Sequence, residues 1–349
     1  MYSSKVDNMP ERLPKFNEHS PKSELISSLS NQFMRATEYG AMAAAWVAGF
    51  GDKTMADKEA TRVMREYLNS LEINGTIVTS EGERDKAPML RIGEMVGTGN
   101  GPELDIAVDA LENTNATATL DNRAISVMAV SERGGLFRCP DMYMNKLVVG
   151  KRAKGKVNID ASIAENLKVL AEVLNRETHE LVIVVLKRER NEHIIQAIKE
   201  EGARVREVRD GDLLPGIAAC QRGSGIHALM GIGAAPEGVI TAAAVKCLGG
   251  GMQARFWPAP EKREEEISRL IEMGGWPNDI YTQDNLASGK MIIFSATGVT
   301  DGDLLKGVKF FGDGARIQSL LISKQKEGPL ERRIVDATFL FKDGVELRI

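Results

Sequence analysis

The sequence predicts an α/β protein in which a parallel or mixed sheet is covered by helices. Three observations predict it. Short runs of small and β-branched apolar residues, such as GTIVT at 75–79 and LVIVVL at 181–186, have the length and composition of strands. Longer segments repeat apolar residues at helical spacing. The two kinds of segment alternate through the second half of the chain. With 349 residues, 43% of them apolar, the chain is long enough for two domains or one large one around a substantial core.

The elements follow in order. Residues 1–22 are polar with three prolines and are expected to form a loose tail. A long helix is expected over 23–47, where Ile26, Leu29, Phe33, Met34 and Ala41 fall near helical spacing and Gly49 and Gly51 follow. The polar turn Asp52, Lys53, Asp57 leads into a second helix over 56–69, striped by Ala60, Val63, Met64, Tyr67 and Leu68. Asp57 then falls in a first helical turn, where a carboxylate favours the helix dipole, and Lys53 reads equally well as a solvated charge. Strand 75–79 ends in SEGERDKAP, which crowds Glu81, Glu83 and Asp85.

The stretch LDIAVDALENTN at 104–115 opens as a strand on Ile106, Ala107 and Val108 and places Asp109, Glu112 and Thr114 in one turn. Asn113 suits the turn because it tolerates positive φ. Crowded carboxylates raise each other's pKa, and a bound cation relieves that. A polar turn capping the next helix accounts for the same residues. Two strand ends of this kind side by side would form a carboxylate pocket where open α/β sheets bind ligands. Asp57, Glu81, Asp109 and Glu112 together could hold a pair of hard cations roughly 3.5–4 Å apart.

A strand over 124–130 precedes GGLFRCPDMYMNKL, read as a loop in which Asp141, Tyr143 and Lys146 are set among apolar residues. The series then runs helix 162–174, strand 181–186, the basic loop KRERNEH with Lys187, Arg188 and Arg190, and helix 194–201. Strand 205–208, DGD at 210–212, helix 213–220, strand 226–232, GAAPEG and helix 239–248 complete it. A basic loop at one strand end and a glycine-rich turn at another suit an anion such as a sugar phosphate. WPAPEKREEE enters a charged helix, and a last apolar strand is expected over 291–294.

Composition excludes several classes. Lys and Arg number 45 against 49 Asp and Glu, a net charge of −4, which argues against a broad nucleic-acid surface. Cys139, Cys220 and Cys247 form no C-x-x-C pair and fit a reducing compartment. His19, His179, His193 and His227 fall at no metal-ligand spacing, so a metal would be held by oxygen, pointing to Mg²⁺ or Mn²⁺. No apolar run reaches membrane-spanning length and the N-terminus lacks a signal-peptide core, so a cytoplasmic protein is expected. GIGAAPEG fails as a dinucleotide fingerprint, because Pro236 stands at the third glycine position. No P-loop or internal repeat occurs.

Seven stretches, GDKTMAD, GTIVTSEGERDKAPML, DIAVDALENTN, PDMYMNKL, RVREVRDGD, IHALMGIGAAPEGVITAAA and FSATGVTDGDLL, together resemble class II fructose-1,6-bisphosphatases, the bacterial type found also as cyanobacterial fructose/sedoheptulose bisphosphatases. The resemblance runs from about residue 31 to the C-terminus. It implies the sugar phosphatase fold of the lithium-sensitive and inositol phosphatases, a layered α-β-α-β-α sandwich with the active site between two lobes. The expected division is a tail over 1–24, a metal-binding lobe over 25–184, and a lobe over 185–349 that contributes substrate-binding residues and Glu237.

The resemblance further implies metal ligands at Asp57, Glu81, Asp109, Glu112 and Glu237. Thr114 matches the residue that orients the attacking water, with Lys53 and Asp85 around it. The substrate positions are Glu112, Asn113, Thr114, Tyr143, Arg188, Glu189, Arg190, Asp210, Gly211, Asp212 and Ala234. The implied activity is Mg²⁺- or Mn²⁺-dependent removal of the C1 phosphate of fructose 1,6-bisphosphate in gluconeogenic or Calvin-cycle carbon metabolism, with sedoheptulose 1,7-bisphosphate a second candidate. The implied assembly is a homo-oligomer, dimer or tetramer, without nucleic acid or membrane. Ala110 and Asn113 replace the family's usual proline and glycine at the central turn. Ser80, Glu189 and Ala234 also depart from the usual residues. These changes keep open a broader sugar or inositol phosphatase and a sugar-phosphate-binding protein without turnover.

Overall fold

The computed structural model describes residues 21–80, 90–325 and 330–341, with side chains from residue 28 onward. The expected tail lies outside these residues except for its last few, which already belong to the first helix. Glu81, Glu83 and Asp85 also lie outside them.

Helices α1 (Pro21–Trp46) and α2 (Lys53–Asn69) lead to β1 (Asn74–Ser80), β2 (Met95–Val96), β3 (Glu103–Glu112), α3 (Thr114–Thr119), β4 (Ile125–Glu132) and β5 (Tyr143–Val149). Then come α4 (Ile163–Leu174), β6 (Val182–Leu186), α5 (Glu192–Glu200), β7 (Arg204–Val208), α6 (Leu213–Ala219), β8 (Ala228–Ala234) and α7 (Ala235–Leu248). The chain continues through β9 (Gly251–Trp257), α8 (Arg263–Glu272), β10 (Tyr281–Thr282), α9 (Gln283–Leu286), β11 (Met291–Gly298), β12 (Lys309–Phe311), β13 (Gly314–Gln325) and β14 (Leu330–Leu340).

The strands form two mixed sheets. The first runs β12-β13-β11-β4-β3-β1-β2, with β14 also paired to β13, and only β1 and β3 are parallel. The second runs β10-β9-β5-β8-β6-β7, parallel across β8, β6 and β7 and antiparallel elsewhere. Both faces of the central strands are buried, which is why they read as continuous apolar runs. On β3, Ile106 and Val108 join a core with Phe33 and Met64 from α1 and α2, while Ala107 joins a core with Val239 and Ile240 from α7. Leu167 of α4 and Ile195 of α5 cover the far face of the second sheet over Ile183. The layers are therefore α1/α2, first sheet, α6/α7, second sheet and α4/α5, the expected α-β-α-β-α order.

The expected boundary at 184 falls inside β6. The sheets divide the chain elsewhere: β5 and α4 lie with the second sheet, and β11 to β14 return to the first. The crossings occur between β4 and β5 and between α9 and β11. Among the described residues no helix is long and apolar enough to cross a membrane.

Local chemistry fixes the helix starts. Asp52 caps α2, its Oδ1 accepting from the Met55 N–H at 3.0 Å, so α2 begins at Lys53 and Asp57 sits beyond the first turn. Ser162 and Glu165 close a capping box on α4. Pro236 occupies the first turn of α7, where its missing N–H costs nothing, and the helix starts four residues earlier than its apolar run suggests.

Candidate active site

The turn after β3 supplies the first groups. Asp109 faces Val127 and Glu112 faces Ile125 on β4, so the segment between them carries one extra residue as a bulge. Asp109 and Glu112 are both buried. Asp109 Oδ1 accepts from the Leu111 N–H at 3.1 Å, which fixes the bulge locally. Asn113 follows in the left-handed region (φ 70°, ψ 56°), and its side chain accepts from the Ala116 N–H at 3.2 Å. The cap of α3 is thus Asn113, and Thr114 is the first helical residue, half-buried and outside the cap. The loop before α2 is fastened beside this turn, with Gly49 N–H donating to Thr117 O at 2.9 Å and Gly51 N–H to Ala118 O at 3.0 Å.

The second group comes from β5, α6 and α7. Residues Tyr143–Val149 form a strand, not the expected loop. Lys146 lies on its inter-sheet face between Met144 and Val148, both in the middle core, and is 1% exposed. Its Nζ donates to Asp212 Oδ1 at 2.7 Å and to Ala234 O at 3.1 Å, and stands 4.0 Å from Glu237 Oε2. Glu237 is in the first turn of α7, a helix buried along nearly its whole length. Oxygens of Glu112, Asp212 and Glu237 all lie within 4.8 Å of one another. Burying carboxylates this close calls for positive charge, and an all-oxygen set fits a hard divalent cation. The cluster can hold a metal ion.

The third group is the basic loop after β6. Arg188 Nη2 bonds Asp210 Oδ1 at 3.1 Å, and Asn115 Nδ2 reaches Asp210 Oδ2 at 3.3 Å. Arg190 Nε donates to Ile232 O at 3.2 Å, and its guanidinium carbon lies 4.1 Å from the Tyr143 ring centroid. Beneath them Asn191 is fully buried, bonded to both the N–H and the C=O of Ile232, which locks the loop onto β8. Lys187 points elsewhere, 3.0 Å from Glu207 on β7.

The tripeptide Asp210-Gly211-Asp212 ties the groups together. Asp210 holds Arg188, and Asp212 holds Lys146. Gly211 has φ 73°, which favours glycine, and a Cβ there would come 3.2 Å from Glu112 Oε1, close enough that the carboxylate would have to shift. A narrow cleft open to solvent is lined by Glu112 and Gly211 together with Arg123, Leu214, Pro215 and Leu304. Of the remaining expected residues, Ala234 stands at the N-cap of α7, Glu189 and Lys53 are exposed, and Asp57 is half-buried on α2. Burial pushes the Cys220 and Cys247 thiols up to about 12, so neither supplies a thiolate near neutral pH.

Lys146 stands out in the sequence as a polar residue among apolar ones, but the sequence assigns it no role in the site. The available signal was a lysine at the position two after Met144 and two before Val148, on a strand's apolar face.

Comparison with known proteins adds an independent line. The family described as bacterial fructose-1,6-bisphosphatase, glpX-encoded, matches residues 27–338. The chain is 47% identical over 323 residues, covering 86% of it and 94% of the relative, to the D-fructose 1,6-bisphosphatase class 2/sedoheptulose 1,7-bisphosphatase of Crocosphaera subtropica. It is 46% identical over 334 residues, 89% of it and 96% of the relative, to the protein of the same description from Synechococcus elongatus. A third, from Synechocystis sp., is 46% identical over 321 residues, 86% and 93% of the two chains.

Proposed function

The chain belongs to the bacterial fructose-1,6-bisphosphatase family, a phosphatase hydrolase family, and from that premise we propose that it hydrolyses the C1 phosphate of fructose 1,6-bisphosphate to fructose 6-phosphate and phosphate. Sedoheptulose 1,7-bisphosphate, named in the relatives' descriptions, is the second substrate of this reading. The observation that carries it is the Asp210-Gly211-Asp212 bridge. Within three residues it joins Arg188, a cation suited to a phosphate, to the carboxylate cluster at Glu112.

In this reading Asp57, Glu81, Asp109, Glu112 and Glu237 hold Mg²⁺ or Mn²⁺. When bound, such ions supply Lewis-acid stabilisation of the phosphoryl oxygens and lower the pKa of a coordinated water. The chain's own residues do the rest. Thr114 aligns the attacking water opposite the leaving C1 oxygen, a step to which the family resemblance also assigns Lys53 and Asp85. Arg188 and Arg190 grip the distal phosphate, and the stack on Tyr143 holds Arg190 in one orientation before substrate arrives. Asn113, Tyr143, Glu189, Asp210, Gly211, Asp212 and Ala234 line the sugar. Phosphate monoester hydrolysis is very slow without a catalyst, so preorganised charge must supply most of the acceleration.

A cytoplasmic setting is part of the proposal, supported by the three free thiols. So is homo-oligomeric assembly, supported by the outer edge of β14, which pairs only with β13 among the described strands and exposes Leu330, Ile334 and Leu340. Light scattering tests the assembly.

The activity is tested by phosphate release from fructose 1,6-bisphosphate, sedoheptulose 1,7-bisphosphate and inositol 1-phosphate with Mg²⁺ or Mn²⁺. Release from the two sugar bisphosphates, abolished by chelation and not restored by Zn²⁺ alone, is expected. Full activity after exhaustive chelation would sink the metal assignment. Binding of the bisphosphate without release would leave a sugar-phosphate-binding protein.

A further inference from the structure

Lys146 is a fully buried cation in a row of apolar residues, and its surroundings are shaped for it. Gly233 has no side chain because a Cβ there would lie 2.2 Å from Asp212 Oδ2 and 2.8 Å from Lys146 Nζ. Gly238 leaves room for Met144 and the lysine stem, with a Cβ there 2.7 Å from Met144 Sδ and 3.6 Å from Lys146 Cδ. A lysine is rarely buried without partners. Here both oxygens of one carboxylate are committed to it, Asp212 Oδ1 at 2.7 Å and Oδ2 at 2.6 Å from Nζ. The Ala234 carbonyl takes a further N–H at 3.1 Å, while Glu237, at 4.0 Å, is reached by charge without a hydrogen bond.

Geometry alone would let Asp212 share a cation with Glu112 and Glu237, since oxygens of all three lie within 4.8 Å of one another. The ammonium on Asp212 competes with that use. We propose that Lys146 is a positioning residue that withholds Asp212 from the metal-binding carboxylates, reserving it for the sugar and limiting how tightly the site takes divalent ions. The proposal rests on the metal assignment above. It adds that an internal lysine sets the cluster's charge, and that Gly233 and Gly238 exist to admit it.

The test uses the full chain and Mn²⁺ alone, without substrate, in four forms: wild type, Lys146→Met, Asp212→Asn and the double variant. Methionine keeps the apolar stem and removes the charge. Lys146→Met is expected to bind Mn²⁺ about tenfold more tightly, or to take one further ion per chain, because Asp212 is left as a buried charge without its partner. Its melting temperature should fall in chelator and rise more steeply with Mn²⁺ than that of the wild type. KM for the bisphosphate should rise more than kcat falls. Asp212→Asn is expected to weaken Mn²⁺ binding, since the ammonium then acts on Glu237 alone. The double variant, which removes one charge of each sign, should return to within about threefold of wild type.

Wild-type Mn²⁺ binding in both single variants overturns the proposal and leaves the phosphatase reading intact. Absence of Mn²⁺ binding by the wild type overturns both. If Lys146→Met does not fold, Asp212→Asn decides: weakened binding supports the proposal, and unchanged binding overturns it.

Discussion

Arg190 lies across Tyr143, its guanidinium carbon 4.1 Å from the ring centroid, with Nε tethered to the Ile232 carbonyl at 3.2 Å. A long side chain ordinarily loses rotamer freedom on gripping a ligand, and here most of that loss is incurred during folding. If Arg190 grips the distal phosphate as proposed, Arg190→Ala should raise KM for the bisphosphate by about tenfold or more and change kcat by less than about threefold, because such a contact is shared by ground and transition states. Tyr143→Phe keeps the ring face and should raise KM less than Tyr143→Ala. Steady-state kinetics on the three variants check this; an unchanged KM for Arg190→Ala would reduce the stack to a surface contact.

Asn113 has two duties at the turn after β3, holding φ at 70° and capping α3. Asn113→Ala loses the cap and strains the left-handed backbone, and should cost about 1–2 kcal/mol for each effect. Asn113→Gly keeps the backbone and loses a few tenths of a kcal/mol. Combined with Ala110→Pro it restores the usual backbone of the family, and kcat/KM should hold or rise. A fall beyond about tenfold, ~1.4 kcal/mol, would show that this turn is built differently.

Much of this was legible in the sequence, because both faces of the central strands are apolar and the helices are striped. Ile106 to Val108 declared a buried strand, and Asp109 and Glu112 marked its polar end. What was hidden was nonlocal. Lys146 and Asp212 are 66 positions apart, and nothing near either announces the other. Strand β5 reads as a loop because Tyr143, Asn145 and Lys146 interrupt its apolar pattern; Tyr143 carries the stack with Arg190 and Lys146 the contact with Asp212. Glu237 reads locally as an ordinary helix-start acid, and only the packing of α7 between the sheets brings it to Glu112. The apolar stripe alone puts Asp57 in a first turn, whereas the Asp52 cap moves the helix start back to Lys53. Strand β14 is hidden because Glu331, Arg332, Arg333 and Asp336 break up its apolar residues, as suits an edge strand.

Cys247 is 2% exposed, and burial is the main cause that pushes its thiol up to about 12, with Lys324 and Lys246 working against it. A raised pKa means the folded state binds this proton more tightly than the unfolded state. The contribution is fully present below the ordinary thiol value and is lost as pH rises toward about 12. Labelling of Cys247 by a thiol reagent at pH 8 should thus track global unfolding, and stability should decline above about pH 9. Rapid stoichiometric labelling of the native protein at pH 8 would contradict this.

Thr114 is separated from the capping role by the structure, and that makes its mutant informative. Asn113 accepts the Ala116 N–H, so Thr114→Ala removes no cap and should shift stability by no more than about 0.5 kcal/mol. If the Thr114 hydroxyl orients the attacking water, the same substitution removes an interaction made mainly in the transition state. It should lower kcat by roughly 10²-fold or more while KM moves little. Mn²⁺ should still bind, because the carboxylates proposed to hold it, Asp109 and Glu112 among them, remain. Thr114→Ser keeps the hydroxyl and should retain appreciable activity. Asn113→Ala is the control, since it should melt earlier through loss of the cap. Melting temperature and kcat measured on all three variants separate the two roles: an Ala variant at position 114 with full kcat would remove Thr114 from the reaction, whatever its stability.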